Sequence, residues 1–153
     1  MQVANFVEMV GDSIRNNWEL DALSNYKGET FTFGQTGERI LEFHQLFHKL
    51  RVEKGEKIAV IGKNNINWAV TYLAATTYGA VIVPLLQDFH SNDILHIIEH
   101  SDASMLFVSD SIYERLNTDS LKSLKAIYSL DDLRVLHTNN CEQCNFKDIV
   151  LEQ

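Results

Sequence analysis

Chemistry in this sequence would have to come from a few short stretches. The run TFGQTGER, Thr32 to Arg39, has the threonine and glycine density of a loop that cradles phosphate. Such a loop aims consecutive backbone N–H groups at oxyanions and places a lysine close by. Here the glycines fall inside an apolar period and the next lysine is Lys49, so the run is read as the start of a helix. GKNN, Gly62 to Asn65, follows an apolar run and precedes an amphipathic one. That setting suits anions, because a helix N-terminus presents free N–H groups and the positive end of its dipole. It lacks the upstream glycine of a P-loop, since Lys57 occupies that place. A turn with an asparagine cap is the favoured reading.

Cys141-x-x-Cys144 with His137 upstream would supply three zinc ligands, whereas a structural zinc site takes four. The remaining histidines, at 44, 48, 90, 96 and 100, lie far from it in sequence. A thioredoxin-like pair follows a strand and opens a helix, and the local pattern supports neither. The pair is read as reduced surface thiols without a metal or redox role. His44 and His48 share a helix face, as do His96 and His100, because residues four apart are neighbours on a helix. In neither pair does a glutamate directly follow the first histidine, as it does in an H-E-x-x-H metalloprotease helix, and both are read as solvated. No Ser/His/Asp arrangement has local support. The sequence nominates no catalytic, no cofactor-binding and no metal-ligating residue.

The elements that would position such groups are clearer. The chain has 153 residues, 45% hydrophobic and 22% charged, with a net charge of −8. That is ordinary for one globular domain with a real core. No stripe of lysine and arginine interleaves with aromatics, so nucleic acid is not an expected partner. No run approaches the ~18 apolar residues of a membrane span. Val3, Phe6, Val7, Val10 and Ile14 are spaced for one helix face, and Glu8 breaks any signal-like apolar run. With two cysteines and no leader, a cytoplasmic location is expected.

Asp21 to Phe33 reads as two strands joined at Lys27-Gly28, and Thr32-Phe33-Gly34-Gln35 as a capping box. Ile40, Phe43, Phe47 and Leu50 then form the stripe of a helix ending near Arg51. KIAVIG and AVIVP read as buried strands, the second closed by Pro84. Between them lies a helix capped by Asn64 or Asn65, carrying Trp68, Ala69, Tyr72 and Leu73, and stopping at Gly79. Ser91 is expected to cap a further helix with Ile94, Leu95 and Ile98 inward, followed by strands at SMLFVSD and LKAIYSL. Alternating strands and helices with short links imply a parallel sheet with right-handed βαβ crossovers and helices on both faces, an α/β fold. Residues 134–145 are weakly patterned, and a helix is expected to begin in Phe146 to Leu151.

At GEKIAVIGKNNINWAVTYLAATTYGAVIVPL the sequence resembles the N-terminal part of adenylate-forming enzymes, the AMP-binding acyl-CoA synthetase superfamily. The Gly- and acid-rich turn, the asparagine, the aromatic Trp68, the small residues and Gly-Ala-Val-x-Val-Pro fall in that family's order. ETFTFGQTGERI and NDILHIIEHSDASMLFVSD extend the likeness over roughly Trp18 to Leu130, most closely to long-chain fatty acyl-CoA synthetases. The resemblance implies the acetyl-CoA synthetase-like fold, with 1–17 as a leading helix, 18–130 as the α/β core and 131–153 as a linker toward further chain. It implies a parent enzyme that uses ATP, Mg2+ and coenzyme A to activate a fatty acid. The family's phosphate loop ending in Pro-Lys-Gly, its adenine-binding aromatic segment, its acidic ribose contact and its C-terminal lysine have no counterpart in residues 1–153. No site residue is carried over, and the chain is expected to be inert alone, a fragment whose exposed strand edge favours homodimers. Two alternatives stay open: a free-standing α/β binding or assembly module, and a small flavodoxin-like enzyme using GKNN.

Overall fold

The computed structural model describes residues 5–139 and 141–149. Asn5 caps α1, Phe6–Asn16, by accepting the Glu8 N–H at 2.9 Å. Val3, expected on the same face, lies outside the described residues. A hairpin follows, β1 at Asp21–Ser24 and β2 at Thr30–Thr32, turning through Lys27 at φ 52° and Gly28. The capping box then forms as expected. Thr32 Oγ1 accepts the Gln35 N–H, and the Gln35 side chain accepts the Thr32 N–H, opening α2 at Phe33–Lys49.

From here the chain alternates: β3 (Lys57–Ile61), α3 (Ile66–Tyr78), β4 (Val81–Leu85), α4 (Ser91–Ser101), β5 (Met105–Val108), α5 (Asp110–Tyr113), β6 (Ala126–Ser129) and β7 (Val135–Thr138). The five-stranded sheet runs β4-β3-β5-β6-β7. The first three contacts are parallel and β6–β7 is antiparallel. Successive strand residues point to opposite faces, so the strands divide one core into two. Ile58, Val60, Met105, Phe107 and Tyr128 face α2 and α3. Ala59, Ile61, Leu106, Val108 and Ile127 face α4 and α5. On the first face the rings of Phe43, Phe107 and Tyr128 stack in sequence, at 5.4 and 5.3 Å between centroids.

The structure revises several sequence expectations. AVIVP is an edge strand rather than a buried one: Val81 is 46% exposed, and Pro84 sits inside β4 opposite Val60. An edge strand tolerates a residue that cannot donate outward. The buried face of α3 is Ile66, Val70, Thr71, Ala74 and Ala75, whereas Trp68 stacks on a half-exposed Tyr72 at 5.7 Å. His90, not Ser91, occupies the N-cap of α4, and no side chain caps it. The weakly patterned tail contains β7, and Phe146–Asp148 is a single 3-10 turn. Of residues 131–153, expected as linker, described residues pack on the core: β7 pairs with β6, and Leu133, Cys144 and Ile149 are buried. Their polar spacing hid this, because an edge strand and an irregular segment need few apolar residues to be covered.

Candidate functional site

The glycines of TFGQTGER serve packing. A Cβ on Gly34 would meet Trp18 at 2.6 Å, and one on Gly37 would meet Ile14 at 2.9 Å. They let α1 and the following turn lie against α2, so the run cradles side chains instead of phosphate.

In an open α/β sheet, ligands gather outside the carboxyl ends of the strands, where the chain order reverses and helices leave to opposite faces. Here that point lies between β3 and β5, since β3 continues into α3 on one face and β5 into α5 on the other. A polar crevice of about 420 Å3 opens there, lined by Lys63, Asn64, Asn65, Gln87, Asp88, Ser109, Arg115 and Asp131, with Asn25 and Tyr26 from the hairpin turn. GKNN is thus both things the sequence allowed, a capped turn and one wall of a crevice. Asn65 Oδ1 accepts the Trp68 N–H at 2.8 Å, and Asn25 Oδ1 accepts the Ile66 N–H at 2.8 Å. The floor is tight: a Cβ on Gly62 would stand 2.8 Å from Leu130 and 3.2 Å from the Ser109 Cβ.

Ser109 stands out. It occupies the N-cap of α5, its hydroxyl makes no cap hydrogen bond, and it lines the crevice. Beside it, a bonded network fixes the rim. Ser129 Oγ donates to Asp110 Oδ1 at 2.7 Å, and Asp131 Oδ2 accepts the Asp110 N–H at 3.0 Å. Arg134 bonds Asp110 Oδ2 at 2.9 Å and holds that carboxyl below the usual carboxylate range. Lys63, Arg115, the Ser109 hydroxyl and the α3 N-terminus together suit a small anion, while Asp88 and Asp131 suit donors carried by the same ligand. Among the described residues the crevice holds no paired nucleophile and base.

The histidine and cysteine candidates separate. His44 is not solvated: its Nε2 lies 3.0 Å from the Ala74 carbonyl and 2.9 Å from Thr77 Oγ1. A carbonyl only accepts, so Nε2 carries the proton and the ring ties α2 to α3. Burial holds its pKa below the ordinary 6.5, against the opposing effect of the Ala74 bond. His96 and His100 stack at 5.8 Å on the exposed side of α4. His137 Nε2 lies 3.2 Å from the Lys122 carbonyl. Cys141 and Cys144, expected as surface thiols, are joined in a disulfide, and Cys144 is 2% exposed. The antiparallel strand just before them, unseen in the sequence, turns the chain back onto α2 and brings them together. Among the described residues no group of three or more His, Cys, Asp or Glu side chains converges as a metal site.

The doubly wound sheet, its switch-point crevice and the leading hairpin define an N-terminal subdomain of the adenylate-forming fold. The described residues superpose on coronafacic acid ligase from Pectobacterium brasiliense with a TM-score of 0.78 at 18% identity, over 84% of this chain and 26% of that one. The AMP-binding enzyme family model matches residues 12–150, and the chain belongs to that family. It is 25% identical over 105 residues to long chain acyl-CoA synthetase 1 of Arabidopsis thaliana, covering 67% of this chain and 16% of the relative. It is also 25% identical over 137 residues to malonate–CoA ligase of the same plant, covering 79% and 22%. The chain thus spans less than a quarter of the length of these relatives. No helix among the described residues is long and apolar enough to cross a membrane.

Proposed function

We propose that this chain is the N-terminal subdomain of an ATP-dependent acyl-CoA synthetase with a fatty acid as its carboxylate, and that it is inert by itself. The parent reaction joins the carboxylate to AMP with release of pyrophosphate, then passes the acyl group to the thiol of coenzyme A. The family match over 12–150 supports the reaction class, and the likeness to a long-chain synthetase supports the fatty acid. The chain's own contribution is the switch-point crevice. The observation that carries this reading is the convergence of Lys63, Arg115 and the Ser109 hydroxyl, which caps nothing, in a crevice at the carboxyl ends of the strands, where open α/β sheets bind ligands.

In this role the crevice holds a phosphate-bearing portion of a substrate, ATP or coenzyme A. Lys63, Arg115 and the α3 N-terminus face the charge, and Ser109 supplies a directed hydrogen bond. We assign no Mg2+ ligand to this chain, because its described carboxylates do not converge in threes. The transferred phosphate itself needs cations and amides placed around it, and these are expected from further chain.

Two measurements test the reading. Carboxylate-dependent exchange of pyrophosphate into ATP should stay at background for the 153-residue chain, and exchange abolished by a substitution within it would overturn the inert-subdomain assignment. Amide shifts on titration with inorganic phosphate should cluster at residues 62–66 and 109–111 and vanish in Ser109→Ala with Lys63→Gln. Shifts elsewhere, or none, would remove the crevice from the function.

A further inference from the structure

The Cys141–Cys144 disulfide lies at the opposite end of the sheet from the crevice and takes no part in the function above. Its two sulfurs differ in access. Cys144 is 2% exposed, whereas Cys141 is half-buried and lines a cavity of about 550 Å3 with Lys49, Leu50, Arg51, Lys125 and Asn139. The walls are cationic. Lys125 Nζ is held by Glu56 at 2.9 Å, but Lys49 and Arg51 form no ion pair among the described residues. Lys49 Nζ reaches the Gln143 carbonyl at 3.4 Å, inside the cysteine ring itself. The nearest carboxylate in sequence, Glu142, points to solvent, as does Lys147. An accessible sulfur in a positive recess beside a shielded one is the arrangement in which a thiolate is stabilised and attack is directed to one atom.

We propose that Cys141–Cys144 is a thiol–disulfide exchange site for a small anionic thiol, with Cys141 the attacked sulfur and Cys144 the resolving one. The incoming thiolate bonds to Cys141 Sγ, the Sγ–Sγ bond breaks, and its electron pair leaves on Cys144 Sγ, which takes a proton from water. A second thiolate attacks the sulfur of the mixed disulfide, forming the small-molecule disulfide and releasing Cys141 as thiolate. Two thiols are oxidised and one protein disulfide is reduced. Lys49 and Arg51 draw the anionic thiol in. The exchange has a structural consequence, because the ring fixes backbone that the core depends on. The Tyr128 hydroxyl donates to the Cys144 carbonyl at 2.5 Å, Thr138 Oγ1 donates to the Cys141 carbonyl at 3.3 Å, and Phe146, two residues on, packs on Phe43 at 4.6 Å. Opening the ring frees the segment 141–149 that closes this face of the sheet.

The test uses the 153-residue chain equilibrated in buffers of reduced and oxidised glutathione, acid-quenched, alkylated and weighed by mass spectrometry. Species with no thiol and with two thiols should dominate, with the glutathione adduct mapping to Cys141. Cys144→Ala should trap that adduct, and Cys141→Ala should form one on Cys144 at least about tenfold more slowly, since access governs which sulfur reacts. Lys49→Gln with Arg51→Gln should slow reaction with glutathione about three- to tenfold and leave that with uncharged 2-mercaptoethanol unchanged, because charge steers only a charged reagent. A chain that stays fully reduced in excess oxidised glutathione would overturn the proposal without requiring any variant to fold. So would equal rates for the two single-cysteine variants, or equal slowing of both thiols.

Discussion

Replacing Phe146 by alanine tests whether the segment after β7 is core. The ring is half-buried and lies 4.6 Å from Phe43 and 5.4 Å from Tyr128, closing the aromatic stack against α2. Truncating a fully buried phenylalanine costs about 3–5 kcal/mol. A half-buried one forfeits about half of that, and each lost aromatic pair adds ~0.5–1 kcal/mol. The expected loss is therefore about 2.5–4.5 kcal/mol. With a urea slope of roughly 1.5–2 kcal/mol/M for a domain of this size, the unfolding midpoint should fall by about 1–3 M. Phe43→Leu with Phe146→Ala should show a coupling of about 0.5–1.5 kcal/mol, since the two rings touch. A midpoint unchanged within about 0.3 M, or additive single and double variants, would show that residues 141–149 merely rest on the surface and that the linker reading was right.

Other expectations follow from single contacts. Thr32→Ala removes the Gln35 N–H partner and half of the capping box, and should cost about 1 kcal/mol in chemical denaturation. Gly62→Ala places a methyl 2.8 Å from Leu130 and 3.2 Å from Ser109; it should cost about 1–3 kcal/mol and suppress the phosphate-induced amide shifts. Burial keeps His44 neutral below its ordinary 6.5, so just under that pH the unfolded chain binds more protons. Stability from His44 is complete above about pH 6.5 and is lost as pH falls from there through the folded pKa. Urea midpoints between pH 5 and 7.5 should flatten in His44→Gln. The open β4 edge, with Val81 46% and Leu86 67% exposed, should pair with its own copy at high concentration. A single monomer mass in sedimentation up to millimolar protein would refute that.

By itself the sequence determined what is local or periodic. Thr32 and Gln35 are three residues apart, so the capping box was fixed before any tertiary contact. Gly79 ends α3 at φ 97°, a conformation open to glycine at little cost. The strand KIAVI announced its burial because both its faces are covered, which leaves a continuous apolar run. The order of those units, with their small residues and the Pro84 signature, also sufficed to indicate the family. Tertiary structure decided whatever depends on who lies next to whom. β4 has as apolar a sequence as β3, yet it is an edge because β5 takes the other side of β3. His44 looked solvated because its acceptor lies 30 residues away on another helix. The crevice joins side chains from the hairpin turn and from the ends of β3, β4, β5 and β6, five segments far apart in sequence. Cys141 and Cys144 gained an inside and an outside only when β7 folded back along β6, because access is a property of the packed surface, which residue spacing does not encode.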